Sequence, residues 1–443
     1  MVTRIQHQNP QANLNPIRGL KGLESLDAQS ARTLLSQIET QVAGKSGVLK
    51  LMHTSKDQDM VFERKSWYQA IARRQNKMDQ TATALKTLYE KAGMSPVAIK
   101  QLDNYLQKHD NRVGGASLAR LLQGHLQPQQ SQNLVQRLLP KESNLNPVLR
   151  SDVFGSQASR RTGTAYADPN LSAAERAQSV QDRDQRNLQM CRDYPDINPN
   201  YLIGTGPNDP ARLTGISRSA TPSLGQQFDT TKPIVIFLGG SNGNVADFGY
   251  PAAHAAGPNT SGGLNFLAVD YRGYGSSGEA DPTPKSVTDD AMRVYQHVRD
   301  LGFTPDKIIL RGYSMGAAAA ARIHAACDLR GEKLMGVIYD RPMASASAVA
   351  KQMKGSAAGW ATKQSVGDFG ADRYLALIHR LGSGDMSNAV VIKDQENDLG
   401  PPAAAMAERR GIELKSPGIN HEAHLLANDE VANFINRLTG HAN

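Results

Sequence analysis

Residues 307–316 read Lys307-Ile308-Ile309-Leu310-Arg311-Gly312-Tyr313-Ser314-Met315-Gly316, and five alanines follow. An apolar run typical of a β-strand thus ends at a glycine, and a helix of small residues begins shortly after it. A serine on a sharp strand-to-helix turn has a strained backbone, so its neighbours must be small to let the chain and a substrate approach. Gly312, Gly316 and Ala317 meet this requirement. The stretch therefore predicts a nucleophile elbow at Ser314.

The sequence on both sides of this stretch alternates between strand-like and helix-like patterns. Amphipathic helical spacing separates the runs, as in the segment from Val287 to Val298. Strands spaced by helices of this length predict βαβ units and an α/β fold, with a mostly parallel sheet covered by helices on both faces. The predicted strands are Ile234–Leu238, Leu264–Val269, Lys307–Leu310, Met335–Tyr339 and Ala389–Ile392.

Glycine, acidic and histidine residues follow the ends of these runs. In a parallel α/β sheet, reactive groups gather in loops at the carboxyl ends of the strands. The loop Gly239–Asn244 is in the position of an oxyanion loop, in which the backbone N–H groups of Ser241 and Met315 would bind a developing negative charge. The other such segments are Asp270–Gly278, Lys393–Pro402 and Ser416–His421.

These motifs resemble the α/β-hydrolase superfamily over residues 232–438. The likeness is greatest to its compact intracellular serine hydrolases, a branch that includes esterases and protein depalmitoylases. Gly239 stands where the oxyanion loop of that branch usually has histidine, and Ser241 stands in place of an asparagine. The other matching motifs are Asp270–Gly275 after the fourth strand, Gly312–Gly316 at the elbow, Asn397-Asp398-Leu399 at the acid and Pro417–His421 at the histidine.

The resemblance implies a catalytic triad of Ser314, Asp398 and His421. A serine hydroxyl is a weak nucleophile until a base takes its proton, and the base needs a carboxylate to fix its tautomer. The three residues occur in the chain order expected for this fold. His424 is the alternative base, and the alternative acids are Asp394, Glu396 and Asp340. Asp270 and Asp289 are expected to orient loops and helices.

This reading predicts a serine hydrolase that cleaves an ester or thioester through an acyl-enzyme, without a metal or organic cofactor. The substrate would be a lipid or an acylated protein. The apolar residues between Asp340 and Ser387, where the superfamily inserts its lid, would either line an acyl pocket or pack against the sheet. A non-catalytic binding module with the same fold is the alternative function, because fold alone does not determine activity. Cys191 and Cys327 have neither a disulfide framework nor metal-ligand spacing.

Charge and composition differ between the N-terminal part of the chain and the rest. Residues 1–130 hold 18 Lys and Arg against 10 Asp and Glu, so the net charge of +8 falls within this region. We predict a disordered polar N-terminus at 1–24, a helical region at 25–126, a polar linker with leading segments at 127–231 and an α/β-hydrolase domain at 232–440. Within the helical region, one helix is expected from Val61 to Ala92.

The N-terminal region suggests partners and a location. Its basic residues are scattered among acidic and amide residues, which argues against nucleic-acid binding. A secretion chaperone or an anionic membrane surface remains a candidate partner. No signal-peptide core or transmembrane run is present, which predicts a cytoplasmic protein. The Gln/Asn/Ser-rich start also resembles that of bacterial effectors secreted into a host cell without a cleaved signal peptide.

Overall fold

The structure of the chain is a computed structural model. The described residues are 26–42, 48–53, 60–65, 75–94, 96–108, 111, 118, 121–122, 153–206, 208–224, 227–255, 263–366, 369–393, 400–417 and 428–440. They fall into two compact units, the first drawn mainly from residues before Leu138 and the second mainly from residues after it. No helix among these residues is long and apolar enough to cross a bilayer.

Three helices and one β-hairpin are found among the described residues of the first unit. The helices are α1 (Ala28–Val42), α2 (Gln75–Lys91) and α3 (Pro96–Lys108), and strands β1 (Val48–His53) and β2 (Met60–Lys65) pair antiparallel. Leu35, Leu85 and Leu102 are fully buried in a common apolar cluster. The described part of this region therefore combines helices with a hairpin.

The hairpin corrects one predicted element. The sequence predicted a single helix from Val61 to Ala92, but residues 60–65 form β2 and the helix begins at Gln75. The apolar start of β2 fits a strand as well as a helix, since short apolar runs do not distinguish the two. Pairing with β1 along the whole of β2 decides the outcome. The disordered polar N-terminus predicted at 1–24 lies outside the described residues.

The second unit is built on an eight-stranded sheet. Its strand order is β10-β9-β8-β7-β5-β6-β4-β3, and β4 is antiparallel to both of its neighbours while the other neighbouring pairs are parallel. The strands are β3 (Ile197–Ile203), β4 (Leu213–Arg218), β5 (Ile234–Leu238), β6 (Asn265–Val269), β7 (Ile308–Tyr313), β8 (Gly336–Asp340), β9 (Ala389–Ile392) and β10 (Glu413–Lys415). The five predicted strands correspond to β5–β9.

Helices cover this sheet and connect its parallel strands. Every residue of the four central strands β5, β6, β7 and β8 is buried, as expected for strands covered on both faces. The helices are α4 (Gln157–Thr162), α5 (Ala173–Asp193), α6 (Val245–Ala255), α7 (Pro284–Asp300), α8 (Gly316–Leu329), α9 (Ala346–Lys354), α10 (Ser356–Val366), α11 (Ala371–Leu381), α12 (Gly400–Arg410) and α13 (Asn428–Leu438).

Helix α7 illustrates how the sequence sets these elements. The Thr283 hydroxyl accepts a hydrogen bond from the Ser286 N–H, which satisfies a free donor at the helix N-terminus. Pro284 follows, a residue that suits the first helical position because it has no N–H to leave unpaired. The residues spaced on one face, among them Val287, Val294 and Val298, are buried. The predicted helix is confirmed here.

The sheet begins upstream of the boundary predicted for the hydrolase domain. The sequence placed that boundary at residue 232, but β3 and β4 pair with each other and β4 pairs with β6. The segment 127–231 was predicted as a linker with leading segments because its composition is polar. The alternation of buried and exposed residues is weak in these strands; β3, for example, exposes its middle residues. The strands are therefore evident from their pairing and not from the sequence pattern.

Candidate active site

Ser314 occupies a tight turn between β7 and α8. Its φ is 53°, in the left-handed region that non-glycine residues rarely adopt, at a cost on the order of 1–3 kcal/mol. The Ser314 N–H donates to the Asp340 carbonyl oxygen at the end of β8, 3.0 Å away, and the Met343 N–H donates to the Ser314 carbonyl oxygen, also at 3.0 Å. The neighbouring strand and the segment after it therefore hold the strained turn in place.

Glycines on both sides of Ser314 allow this turn to pack closely. A Cβ at Gly312 would lie 2.5 Å from the Gly316 carbonyl oxygen, which leaves no room for a side chain. A Cβ at Gly316 would lie 2.0 Å from the carbonyl oxygen of Leu238, the last residue of β5. The glycines therefore let the start of α8 approach the end of β5, as the predicted elbow requires.

The glycine-rich loop after β5 lies beside Ser314. A Cβ added to Gly240 would be 3.3 Å from the Ser314 Cβ and 3.0 Å from the Tyr313 ring. Ser241 is the next residue in this loop, and Met315, almost fully buried, directly follows the serine. Sequence reasoning proposed the N–H groups of Ser241 and Met315 as oxyanion donors, and the fold brings their two segments together.

A buried aspartate anchors the end of this loop. The Val245 N–H donates to Asp270 Oδ1 at 2.7 Å, and Asp270 stands at the carboxyl end of β6. Burial raises the pKa of the Asp270 carboxyl to about 7, even though this hydrogen bond opposes the shift. The Asn244 N–H donates to Asp247 Oδ2 at 3.0 Å. These contacts fit the structural role that the sequence suggested for Asp270.

Asp340, one of the alternative acids, is held by two arginines. Arg311 Nη2 donates to its Oδ2 at 2.7 Å and Arg341 Nε donates to its Oδ1 at 2.8 Å, and all three side chains are buried. Burial alone would raise the pKa of Asp340, but the two guanidinium groups outweigh it and hold that pKa at about 2. With both oxygens engaged in this way, the geometry favours a structural role for Asp340 beneath the elbow.

The remaining acid and base candidates fall outside the described residues. These are Asp398, Asp394, Glu396, His421 and His424. The described ends of their loops are informative: β9 ends at Ile392 and β10 at Lys415, and the two strands are parallel neighbours on the β8 side of β7. The carboxyl ends of β9 and β10 therefore lie at the same end of the sheet as Ser314. Their assignment as acid and base stays a prediction.

One buried histidine near the elbow has a different role. His324 lies on α8, and its Nδ1 is hydrogen-bonded to the Tyr339 hydroxyl at 2.8 Å. Burial lowers the pKa of His324 to about 4, so the ring is neutral at neutral pH. Among the described His, Cys, Asp and Glu residues, no group of three comes together in the manner of a metal site.

The segment between β8 and β9 contains the region where a lid was expected. Phe369 and Tyr374 are fully buried, and the Phe369 ring centroid is 6.0 Å from that of Phe154. Trp360 on α10 is instead 66% exposed. Phe369 and Tyr374 thus pack inside the unit and Trp360 does not, while an acyl pocket in this segment stays a prediction.

Sequence reasoning missed two features of this site. One is the cluster of Arg311, Asp340 and Arg341. The sequence feature that could have indicated it is Arg311, a charged residue inside the apolar run of β7. The other is residues 154–161, an upstream segment that contacts the glycine loop and was assigned to a polar linker. The sequence feature that could have indicated this segment is Ser156, an N-cap residue whose hydroxyl accepts a hydrogen bond from the Ser159 N–H at 3.1 Å.

Comparison with known proteins gives local matches and a shared fold. No protein-family model matches the chain. A stretch of 136 residues is 35% identical to the multifunctional-autoprocessing repeats-in-toxin protein of Vibrio cholerae, covering 30% of this chain and 3% of that protein. Protein ABHD12B of Homo sapiens is 29% identical over 119 residues, covering 25% of this chain and 29% of that protein. The chain thus spans less than a third of the length of either curated relative.

Among solved structures, an alpha-beta hydrolase from Vibrio vulnificus is similar with a TM-score of 0.49 and 21% identity, covering 67% of this chain and 95% of that one. The arrangement of strands and the turn at Ser314 identify the fold of this chain directly. Seven of the eight strands run in one direction around a single antiparallel strand, and the serine turn sits between β7 and α8 with a glycine loop beside it. By this topology and this turn, the second unit has an α/β-hydrolase-type fold.

Proposed function

We propose that this chain is a serine hydrolase that cleaves an ester or thioester through an acyl-enzyme on Ser314. The observation that carries the proposal is the left-handed Ser314, held at φ 53° by the Asp340 carbonyl and flanked by the glycine loop. A strained backbone persists only where its surroundings enforce it, and such positions cluster at functional sites. Close approach of a backbone loop to the serine is what an oxyanion hole requires.

The proposed reaction uses Ser314, His421 and Asp398. The Ser314 Oγ attacks the acyl carbon while His421 takes its proton, and the charge that forms on the carbonyl oxygen is bound by the N–H groups of Ser241 and Met315. His421 then gives the proton to the leaving alcohol or thiol as its bond to the acyl carbon breaks. In the second half, His421 takes a proton from water as the water oxygen attacks the acyl carbon, and it returns that proton to the Ser314 Oγ as the bond between the acyl carbon and Oγ breaks. Asp398 orients the imidazole throughout.

The substrates that we propose are acyl esters or thioesters carried by a lipid or a protein. A panel of 4-nitrophenyl esters and acyl thioesters of increasing chain length tests the activity and ranks acyl groups. The wild-type chain is expected to hydrolyse members of the panel, and Ser314→Ala should lower the rate by at least about 10³-fold. A matched control is Ser223→Ala, outside this site. No hydrolysis above background by the folded wild-type chain would instead favour a non-catalytic binding module, and equal rates of hydrolysis for wild type and Ser314→Ala would contradict the role of Ser314.

We also propose that the hydrolase acts on a host cell. The local identity to a protein whose name describes it as a toxin supports this reading, together with the polar N-terminal region. In this proposal the N-terminal region carries the export information, with a secretion chaperone or an anionic membrane surface as its partner. A fusion of residues 1–130 to a reporter should be exported by a specialised secretion apparatus. Retention of the fusion in the producing cell would contradict the proposal.

A further inference from the structure

Residues 154–161 lie directly against the glycine loop after β5; we call them the upstream strap. A Cβ added to Gly155 would lie 2.6 Å from the carbonyl oxygen of Ser241 and 2.4 Å from the side-chain oxygen of Asn242. Gly155 has φ +79°, so its conformation and the space around it both call for glycine. At the other end of the loop, Asn244 Nδ2 donates to the Arg161 carbonyl oxygen at 3.1 Å.

Arg160 fixes the strap in this position. Its Nη1 donates to the Gly155 carbonyl oxygen at 2.5 Å, and its Nε donates to the Gly273 carbonyl oxygen at 3.4 Å. The guanidinium lies over the Tyr274 ring, 5.7 Å from its centroid, and the Gly275 N–H donates to the Arg160 carbonyl oxygen at 2.9 Å. Arg160 is 6% exposed, which makes it a buried link between the strap and the loop after β6.

The same contacts reach the residue after the serine. The Tyr274 hydroxyl donates to the Phe154 carbonyl oxygen at 2.8 Å and lies 3.9 Å from Met315 Sδ. The Tyr274 side chain is almost fully buried. The strap therefore touches the Ser241 segment directly and is connected to Met315 through Tyr274.

A loop containing Gly239, Gly240 and Gly243 has wide backbone freedom, which works against holding an N–H group in one direction. Oxyanion stabilisation depends on donors that are already in place before charge develops. We propose that the upstream strap fixes the glycine loop for catalysis, with Gly155 and Arg160 as positioning residues. This inference rests on the proposed function, in which Ser241 supplies an oxyanion donor.

The test compares Arg160→Ala, Arg160→Lys and Gly155→Ala in the full chain. Two measurements are made on each: kcat and KM for a short 4-nitrophenyl ester, and amide hydrogen exchange of residues 239–244. Arg192→Ala is the matched arginine control, because Arg192 is exposed on α5. Gly440→Ala matches Gly155→Ala, because Gly440 has φ +76° and nothing within 4 Å of an added Cβ.

Arg160→Ala and Gly155→Ala should each lower kcat by about 10- to 100-fold, less than the ~10²–10³ caused by deleting an oxyanion donor, with KM within about twofold. Exchange of the loop amides should be faster in both. Arg160→Lys should recover part of the kcat, and both controls should match wild type.

Variants that fold, as judged by circular dichroism, but keep wild-type exchange in residues 239–244 would overturn the inference. Wild-type kcat in Arg160→Ala would also overturn it, as would a uniform rise in KM with kcat unchanged. If Gly155→Ala does not fold, Arg160→Ala decides. If the wild-type chain has no hydrolase activity, the proposed function fails, and a role for the strap in catalysis fails with it. Faster loop exchange in the variants would then identify the strap as a structural support only.

Discussion

The ends of β6 and β8 flank the candidate site on opposite sides, and their buried aspartates are held in opposite ways. The sheet order places β8 next to β7, which carries Ser314, and β6 next to β5, which carries the glycine loop. Asp340 ends β8 and supports the elbow, whereas Asp270 follows β6 and supports the loop through the Val245 N–H. Both side chains are withdrawn from solvent.

The difference lies in the nearest charges. Arg311 and Arg341 hold the pKa of Asp340 at about 2 despite its burial. Burial raises the pKa of Asp270 to about 7, because the hydrogen bond and the more distant arginines do not compensate for lost hydration. Similar burial therefore gives an ionised carboxylate on the elbow side and a carboxyl that gains its proton near neutral pH on the loop side.

The largest effect is expected from Asp340→Asn. This change leaves Arg311 and Arg341 buried without their counter-charge, and breaking a buried ion pair in this way costs about 3–5 kcal/mol. Urea denaturation at pH 7 measures the loss in the free energy of unfolding. The matched control is Asp372→Asn, since Asp372 also pairs with two arginines, Arg409 at 2.9 Å and Arg410 at 2.8 Å, but lies closer to solvent.

The control should lose no more than about 1 kcal/mol, because solvent screens an exposed ion pair. A loss for Asp340→Asn as small as that of the control would show that the buried cluster does not stabilise the elbow. The contrast between Asp340 and Asp270 would then not extend to the free energy of unfolding.

A smaller effect, with the opposite dependence on pH, is expected from Asp270→Asn. The folded-state pKa of Asp270 is raised to about 7 from its ordinary value of 3.8, so its contribution to stability is fully present below about pH 4 and is lost as pH rises toward 7. Asparagine is neutral throughout. The stability of wild type relative to Asp270→Asn should therefore fall by about 1–3 kcal/mol between pH 5 and pH 8.

Urea denaturation of wild type and Asp270→Asn at pH 5, 6, 7 and 8 measures this difference. Asp340 should contribute little across the same range, because its folded-state pKa lies below the ordinary value for aspartate and its stabilising effect is lost only as pH falls from about 4 toward 2. A wild-type-to-variant difference that is constant from pH 5 to pH 8 would contradict the account of Asp270.

Local sequence was sufficient for the features that depend on neighbouring residues. The apolar runs predicted β5 to β9, and the spacing of Gly312, Ser314 and Gly316 predicted the turn between β7 and α8. Each of these depends on residue size and backbone conformation within a few positions. The same reasoning applied to the apolar start of β2 predicted a helix, because a short run does not show whether a pairing strand exists.

Long-range contacts explain what the sequence did not reveal. The charges of Arg311 and Asp340 are 29 residues apart in the chain, and their pairing follows from the adjacency of β7 and β8. The strap was assigned to a linker because its residues are polar, yet Arg160 bonds to Gly273, 113 residues away. Polar composition indicates a loop but does not indicate what the loop contacts.

The most direct test of the central claim is covalent labelling of the folded wild-type chain by a fluorophosphonate, followed by mass spectrometry of the intact protein and of its peptides. The account predicts one adduct per chain, on Ser314, and none in Ser314→Ala. An adduct on another residue, or no adduct on the folded wild-type protein, would contradict the assignment of Ser314 as the nucleophile.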